Sequence, residues 1–209
     1  MNGQQRAWED QYRKSKQVWC GTPARLPALP KNAWVLELGC GNGKTLAAIC
    51  THSSTVVALD ISLSALHTCA KRDDCAGAQL IGADIRNLPI KNATFDVILA
   101  HHVLGHLNEE ERQRTADAIV RILRPEGILS VQEFSVDDFR YGSGKEIEKC
   151  TFLRGNGIST HYFTGGELSR LFSELTPVQN NEMQWTMRVR GRDYLRSVLA
   201  YEFKKTCMK

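Results

Sequence analysis

The sequence predicts an α/β fold: a doubly wound, mainly parallel sheet of seven strands whose last strand runs antiparallel. Three observations carry that expectation. Short apolar runs alternate with helical segments from residue 34 to residue 134, and the first run breaks into three glycines within five residues. The chain then finishes in two alternating segments around Arg190-Gly191-Arg192. Strands separated by helical crossovers run parallel and are covered on both faces, whereas strands joined by a tight turn pair antiparallel.

Residues 4–17 read as a polar helix with Trp8 and Tyr12 four apart on one face, followed by the isolated Trp19. "CGTPARLPALPKN", residues 20–32, holds three prolines and one glycine and reads as an extended connection. Together, 1–32 form a candidate lid, and 33–209 the main domain. Candidate strands are 34–39, 55–60, 78–83, 95–100 and 127–134, and candidate helices are 43–52, 63–73 and 109–123. Pro125 and Gly127 stop the last of these helices before an apolar strand. After Ser135 the rhythm breaks, so about 136–162 is expected to be a surface insertion over one end of the sheet. "TGGELSRLFSEL" resumes as a helix with Thr164 as its expected N-cap.

Composition narrows the classes. The 209 residues are 42% apolar and 24% charged, which suits one globular domain with a sizeable core. No apolar run approaches the ~18 residues of a membrane span. The polar N-terminus lacks the apolar core of a signal peptide, so a cytoplasmic location is expected. Seven scattered cysteines, with no C-x-x-C pair, read as reduced thiols, several of them buried. A net charge of +4 permits a nucleic-acid partner without requiring one. No oligomeric state can be read from the pattern.

The glycines of "ELGCGNG" face competing explanations. A dinucleotide loop needs G-x-G-x-x-G/A, but Lys44 stands where its last residue belongs. A P-loop would place its first glycine at Leu38. A tight strand-to-helix turn uses glycines with no ligand at all. Asp60 ends the second candidate strand, with Ile61 beside it, seventeen residues beyond Gly43. A carboxylate there can accept both hydroxyls of a ribose, or it can cap the next helix. Asp84 and Ile85 follow the third strand, where Asp84 also suits a turn cap.

Glu37 to Gly43 form E-x-G-x-G-x-G, and this stretch resembles the class I S-adenosylmethionine-dependent methyltransferases, which are Rossmann-like. The resemblance spans about residues 33–135. It implies S-adenosylmethionine as cofactor, with Glu37, Gly39 and Gly41 near its methionine part. Asp60 and Ile61 would then hold the ribose, Asp84 and Ile85 the adenine, and His101 would border the cofactor. The ends "WEDQYRKSKQVW", "FLRGNGISTHYFTGGELSRLF" and "RVRGRDYLRSVLAYEFKK" look like the methyltransferase-like group containing the 3-methylcytidine tRNA methyltransferases. That likeness adds Trp8 and Tyr12 to the cofactor's surroundings. The core also looks like small-molecule methyltransferases of the broad type 11 group.

Methyl transfer from a sulfonium needs positioning more than acid–base help, so no catalytic residue announces itself. His102 and His106 are the candidates for a general base. His102 and His106 have H-x-x-x-H spacing, yet the glutamate of H-E-x-x-H is missing, so no metal is expected. Arg188, Arg190, Arg192 and Arg196, followed by Lys204, Lys205 and Lys209, could track phosphates or merely protect a sheet edge. Alternation would send Arg188 and Arg190 to one strand face. The expected activity is methyl transfer to a small-molecule acceptor. The alternatives are a tRNA base as acceptor, or a cofactor-binding protein without turnover.

Overall fold

In the computed structural model, which describes residues 3–15, 26–52 and 55–206, each central apolar run is a strand. The parallel strands are Trp34–Leu38 (β1), Thr55–Asp60 (β2), Ala78–Gly82 (β3), Phe95–His101 (β4) and Leu123–Phe134 (β5). The helices are Gly3–Lys14 (α1), Lys44–Cys50 (α2), Leu63–Cys69 (α3), Glu109–Ile122 (α4) and Glu167–Leu171 (α5). Trp19, residues 16–17 of the expected helix, the start of the proline-rich connection, Cys207 and Lys209 lie outside the described residues.

Side-chain alternation sends neighbouring residues into two cores. Val35, Val56, Ala58, Val97 and Leu99 pack with Leu46 and Ile49 of α2 and with Leu66 and Cys69 of α3. Leu36, Leu38, Leu59, Ile98 and Ala100 pack with Ala116 and Ile119 of α4 and with Leu168 and Phe172 of α5. Both faces are therefore covered, which is why these strands read as unbroken apolar runs. α3 ends at Cys69, earlier than expected; the chain turns at Arg72–Asp74, where the Arg72–Asp74 pair is 2.7 Å, and brings Cys75 beneath the glycine loop.

The long closing strands Thr176–Val189 (β9) and Arg192–Lys204 (β10) meet at Arg190 and Gly191, with φ +48° and +79°. Two left-handed residues make the primed turn that matches strand twist. Sheet order is β3-β2-β1-β4-β5-β10-β9, and β10 runs antiparallel to both neighbours. Because Arg190 sits in the turn, it does not share a strand face with Arg188, contrary to the expected alternation.

The segment after Ser135 is more regular than its sequence suggests. Lys145–Glu148 (β6), Thr151–Leu153 (β7) and Ser159–His161 (β8) form a small antiparallel sheet. Strands this short show too few residues for a period to be read. Thr164 is not an N-cap: Gly166 holds that position at φ +78°, and the Thr164 N–H and hydroxyl both donate to Glu167 Oε2 at 3.1 Å. Glu167 is itself pinned by His161 Nε2 at 2.8 Å, so it draws Thr164 toward it.

Lys205 Nζ donates to the carbonyls of Val120 (2.6 Å) and Leu123 (2.8 Å) at the carboxyl end of α4. Lys205→Met is expected to cost about 1–2 kcal/mol, because a cation there satisfies two terminal carbonyls. A urea midpoint unchanged from wild type would contradict that role.

Candidate active site

The reversal of strand order between β1 and β4 opens a crevice at the carboxyl ends of the strands, and the glycine loop lies there. Gly39, Gly41 and Gly43 have φ of +71°, +54° and +79°. A Cβ on Gly39 would meet Val103 Cγ2 at 2.8 Å, and one on Gly41 would collide with the Tyr12 hydroxyl. The bare backbone is thus demanded by conformation and by close neighbours together. Beneath the loop, the thiols of Cys69 and Cys75 donate to the carbonyls of Gly41 (3.2 Å) and Gly43 (3.7 Å).

Asp60, buried at the tip of β2, accepts from Gly41 N–H through Oδ2 and from Ser62 N–H through Oδ1, each at 2.8 Å. Burial raises its pKa against those hydrogen bonds. The carboxylate therefore ties the glycine loop to the start of α3 while still facing the cavity. Ser62, not Asp60, is the N-cap of α3. Glu37 lies one strand over, with Oε2 buried and unpartnered, and burial pushes its pKa well up.

Asp84 and Ile85 stand at the cavity edge beyond β3. Asp84 caps a short 3-10 turn through Arg86 N–H (3.0 Å) and pairs with the Arg86 side chain, which also reaches Glu111 at 2.8 Å. Glu111 closes the capping box of α4 with Asn108, so this edge of the cavity is braced by a helix terminus. This arginine brace carries no sequence motif.

Helix α1 lies over the crevice. Ser62 and Ser64 donate to Glu9, Ser62 Oγ at 2.8 Å, and Gln4 Nε2 donates to Ser159 Oγ at 2.5 Å. Those serine bonds hold the Glu9 carboxyl below its usual range despite partial desolvation. Trp8 and Tyr12 both line the cavity, and Trp8 meets His106 edge to face at 4.7 Å.

Three histidines follow β4 with different surroundings. His101 Nε2 lies 3.0 Å from Ser130 Oγ, while its Nδ1 is buried without a partner. His102 adopts φ +55° and stacks on Phe134 at 4.2 Å. His106 Nδ1 lies 2.7 Å from the Ser159 carbonyl, which can only accept, so Nδ1 carries the proton and Nε2 keeps its lone pair. Burial pushes His101 and His106 down to about 4 and His102 well below its ordinary value. The three rings are neutral near pH 7.

The whole cavity measures about 810 Å³ and holds every residue the sequence nominated for the site: Trp8, Tyr12, Glu37, Gly39, Gly41, Asp60, Ile61, Asp84, Ile85, His101, His102 and His106. It also holds residues that sequence reasoning missed, notably Phe134, Arg140, Arg154 and Trp185, together with Lys44. Arg196, read as part of a basic tail, turns inward instead and binds Asp138 at 2.7 Å. Among the described residues no group of three His, Cys, Asp or Glu could hold a metal ion. No helix among them is long and apolar enough to cross a membrane.

Seven strands in this order, with a bare glycine loop and an acidic strand tip at the switch point, define a class of fold, the one that class I methyltransferases have. More narrowly, residues 36–131 match the family model described as "Methyltransferase domain". In sequence the chain is similar to the tRNA N(3)-cytidine methyltransferase METTL2 of Danio rerio, 25% identical over 174 residues, covering 76% of this chain and 49% of that protein. In structure it is similar to a SAM-dependent methyltransferase of Methanosarcina mazei, with a TM-score of 0.70, 21% identity and coverage of 86% and 95%. Burkholderia thailandensis 1,6-didemethyltoxoflavin-N1-methyltransferase, solved with 1,6-didemethyltoxoflavin and S-adenosylhomocysteine, gives a TM-score of 0.62 at 19% identity, covering 98% of this chain and 79% of that one. The chain spans half or less of the length of the first curated relatives it matches, from 28% to 49%.

Proposed function

We propose that this protein is an S-adenosylmethionine-dependent methyltransferase acting on a small-molecule acceptor. The observation that carries the reading is the pairing of the three-glycine loop at Gly39–Gly43 with the Asp60 carboxylate one strand over. The residues fit the cofactor. Gly39 and Gly41 let Val103 and the Tyr12 hydroxyl close in on bare main chain at the cavity wall, and the orphan Glu37 Oε2 offers a partner to an ammonium group directly or through water. Asp60 and Ile61 serve the ribose, Asp84 and Ile85 the adenine, and His101 borders the reacting end. When bound, the sulfonium supplies an activated methyl group and a neutral leaving group.

The chain's own work is then to orient and to exclude water. α1 acts as the lid, with Trp8 and Tyr12 turned inward and the helix latched near its start by Gln4 and at its middle by Glu9. His106, neutral and with Nε2 unprotonated, takes up the proton that an acceptor O–H or N–H gives away. The buried, reduced thiols around the loop agree with a cytoplasmic setting.

An RNA acceptor is the second reading, favoured by the similarity to METTL2, which extends over 76% of the chain. One experiment weighs the two. Purified protein incubated with methyl-labelled cofactor and a cell extract is expected to label the small-molecule fraction. Label confined to RNA would replace the acceptor class. Saturable S-adenosylhomocysteine binding with no labelled fraction would leave a cofactor-binding protein without turnover.

A further inference from the structure

Beyond the cofactor residues, the cavity continues between β5, β10 and the β6–β8 sheet, and its charge is unbalanced. Asp138, whose side chain is fully buried, accepts from Arg140 Nε through Oδ1 (2.9 Å) and from Arg196 Nε through Oδ2 (2.7 Å). It also accepts from the backbone N–H of Arg140 (3.2 Å) and Ser197 (3.3 Å). One carboxylate thus holds two guanidinium groups by their inner nitrogens and takes none of their outer ones. Arg140 Nη2 is buried with no partner, and Arg196 Nη1 finds only the Met187 sulfur at 3.9 Å. Both side chains are mostly enclosed, 15% and 11% exposed.

Arg154, in the turn between β7 and β8, adds a third guanidinium. Its Nη2 donates to the Tyr162 hydroxyl at 2.5 Å, and among the described residues its buried Nε has no partner and no carboxylate pairs with it. Among the described residues the neighbouring groups form no ion pair with these arginines. His102 and His106 are pushed neutral by burial, Glu133 is pushed up to about 8, and Glu182, held below its usual range by the Ser197 hydroxyl at 2.8 Å, stays ionised but accepts from Ser197, Ser135 and Gln184. Three guanidinium groups share one paired carboxylate. A buried guanidinium with an idle N–H is costly unless something supplies an acceptor.

The walls describe the rest of the missing molecule. Arg140 and Arg196 lie 4.0 and 4.9 Å from the Phe134 ring centre, and Arg196 lies 5.5 Å from that of Trp185. Met183 and Met187 complete an apolar side. We propose that this half of the cavity binds a small, flat acceptor carrying an anionic group, a carboxylate or a phosphate monoester, with Arg140, Arg154 and Arg196 gripping the anion and Trp185, Met183 and Met187 lining the apolar side. The enclosure of Arg140 and Arg196 favours a compact molecule over a polymer, whose phosphodiesters stay at the surface. The inference rests on the methyltransferase reading only for the word acceptor; the anion site stands on its own geometry.

Benzoate and phenyl phosphate serve as probes, with neutral benzamide as control, titrated calorimetrically into the protein with and without saturating S-adenosylhomocysteine. Benzoate or phenyl phosphate is expected to bind at least tenfold more tightly than benzamide, and the stronger of the two identifies the anion. Arg140→Gln and Arg154→Met are each expected to weaken that probe tenfold or more while S-adenosylhomocysteine affinity stays within twofold. Arg154→Met leaves the Asp138 cluster intact, so it remains informative if Arg140→Gln folds poorly. Equal binding of benzamide, or indifference to both substitutions, would overturn the site. An equal loss of S-adenosylhomocysteine affinity would reassign the arginines to the cofactor. Displacement of the probe by tRNA would transfer the anion to RNA and also overturn the proposal. Absence of S-adenosylhomocysteine binding to wild type would sink the methyltransferase reading alone, since titration of the protein by itself still decides the anion site.

Discussion

Asp60→Ala is expected to weaken S-adenosylhomocysteine binding about a hundredfold. Two hydroxyl hydrogen bonds to a carboxylate are each worth about 1.5 kcal/mol or more, and about 3 kcal/mol corresponds to that factor. The same substitution strips the Gly41 and Ser62 N–H groups of their acceptor, so stability should fall as well, by about 1–3 kcal/mol. The two effects are separable. Asp60→Asn keeps an oxygen for one of those N–H groups but presents an amide donor to the ligand. It should stay closer to wild type in thermal unfolding while still losing most of the affinity. A folded Asp60→Asn protein that binds S-adenosylhomocysteine as well as wild type would remove the ribose from this residue and leave Asp60 a loop anchor only.

His106 gives the other large effect, and it is visible through pH. Burial depresses its pKa from 6.5 to about 4, against the opposing influence of the Ser159 carbonyl. The unfolded chain takes up a proton as pH falls through 6.5, whereas the folded ring resists until about 4. The stability linked to this ring is therefore fully present above 6.5 and lost progressively down to about 4. A shift of that size is worth about 3 kcal/mol. The stability of wild type relative to His106→Gln, measured by urea unfolding at several pH values, should drop by about that amount between pH 7 and pH 4. A constant difference, or a His106 ring signal titrating near 6.5 in NMR, would contradict the burial argument. The same low pKa keeps Nε2 free to accept a proton over the whole neutral range.

Asp60 also shows how far sequence reading reached and where it stopped. Its position at the end of an apolar run, after a glycine loop, is a local pattern, and the structure does bring both features to one crevice. Its bond to the Gly41 N–H is not legible, because that depends on how β1 and β2 register side by side. His101 and His102 are adjacent in sequence yet face different partners, Ser130 and Phe134, since a left-handed φ at His102 turns the chain between them. Arg196 misled for a related reason. Alternation along β10 says which residues share a face but not that Asp138 waits on that face 58 residues earlier in the chain.

The amino-acid sequence alone determined the five parallel strands, the bare loop after the first, the acidic residue at the tip of the second and the tight turn at Arg190-Gly191. Each is set by neighbours within a few positions, through period, conformation and chain reversal. Tertiary structure alone decided that β10 slots between β5 and β9, that α1 lines the crevice, and that the β6–β8 sheet walls an arginine-lined chamber. Those outcomes come from contacts between distant segments, where packing and charge pairing choose among arrangements that local propensity leaves equal.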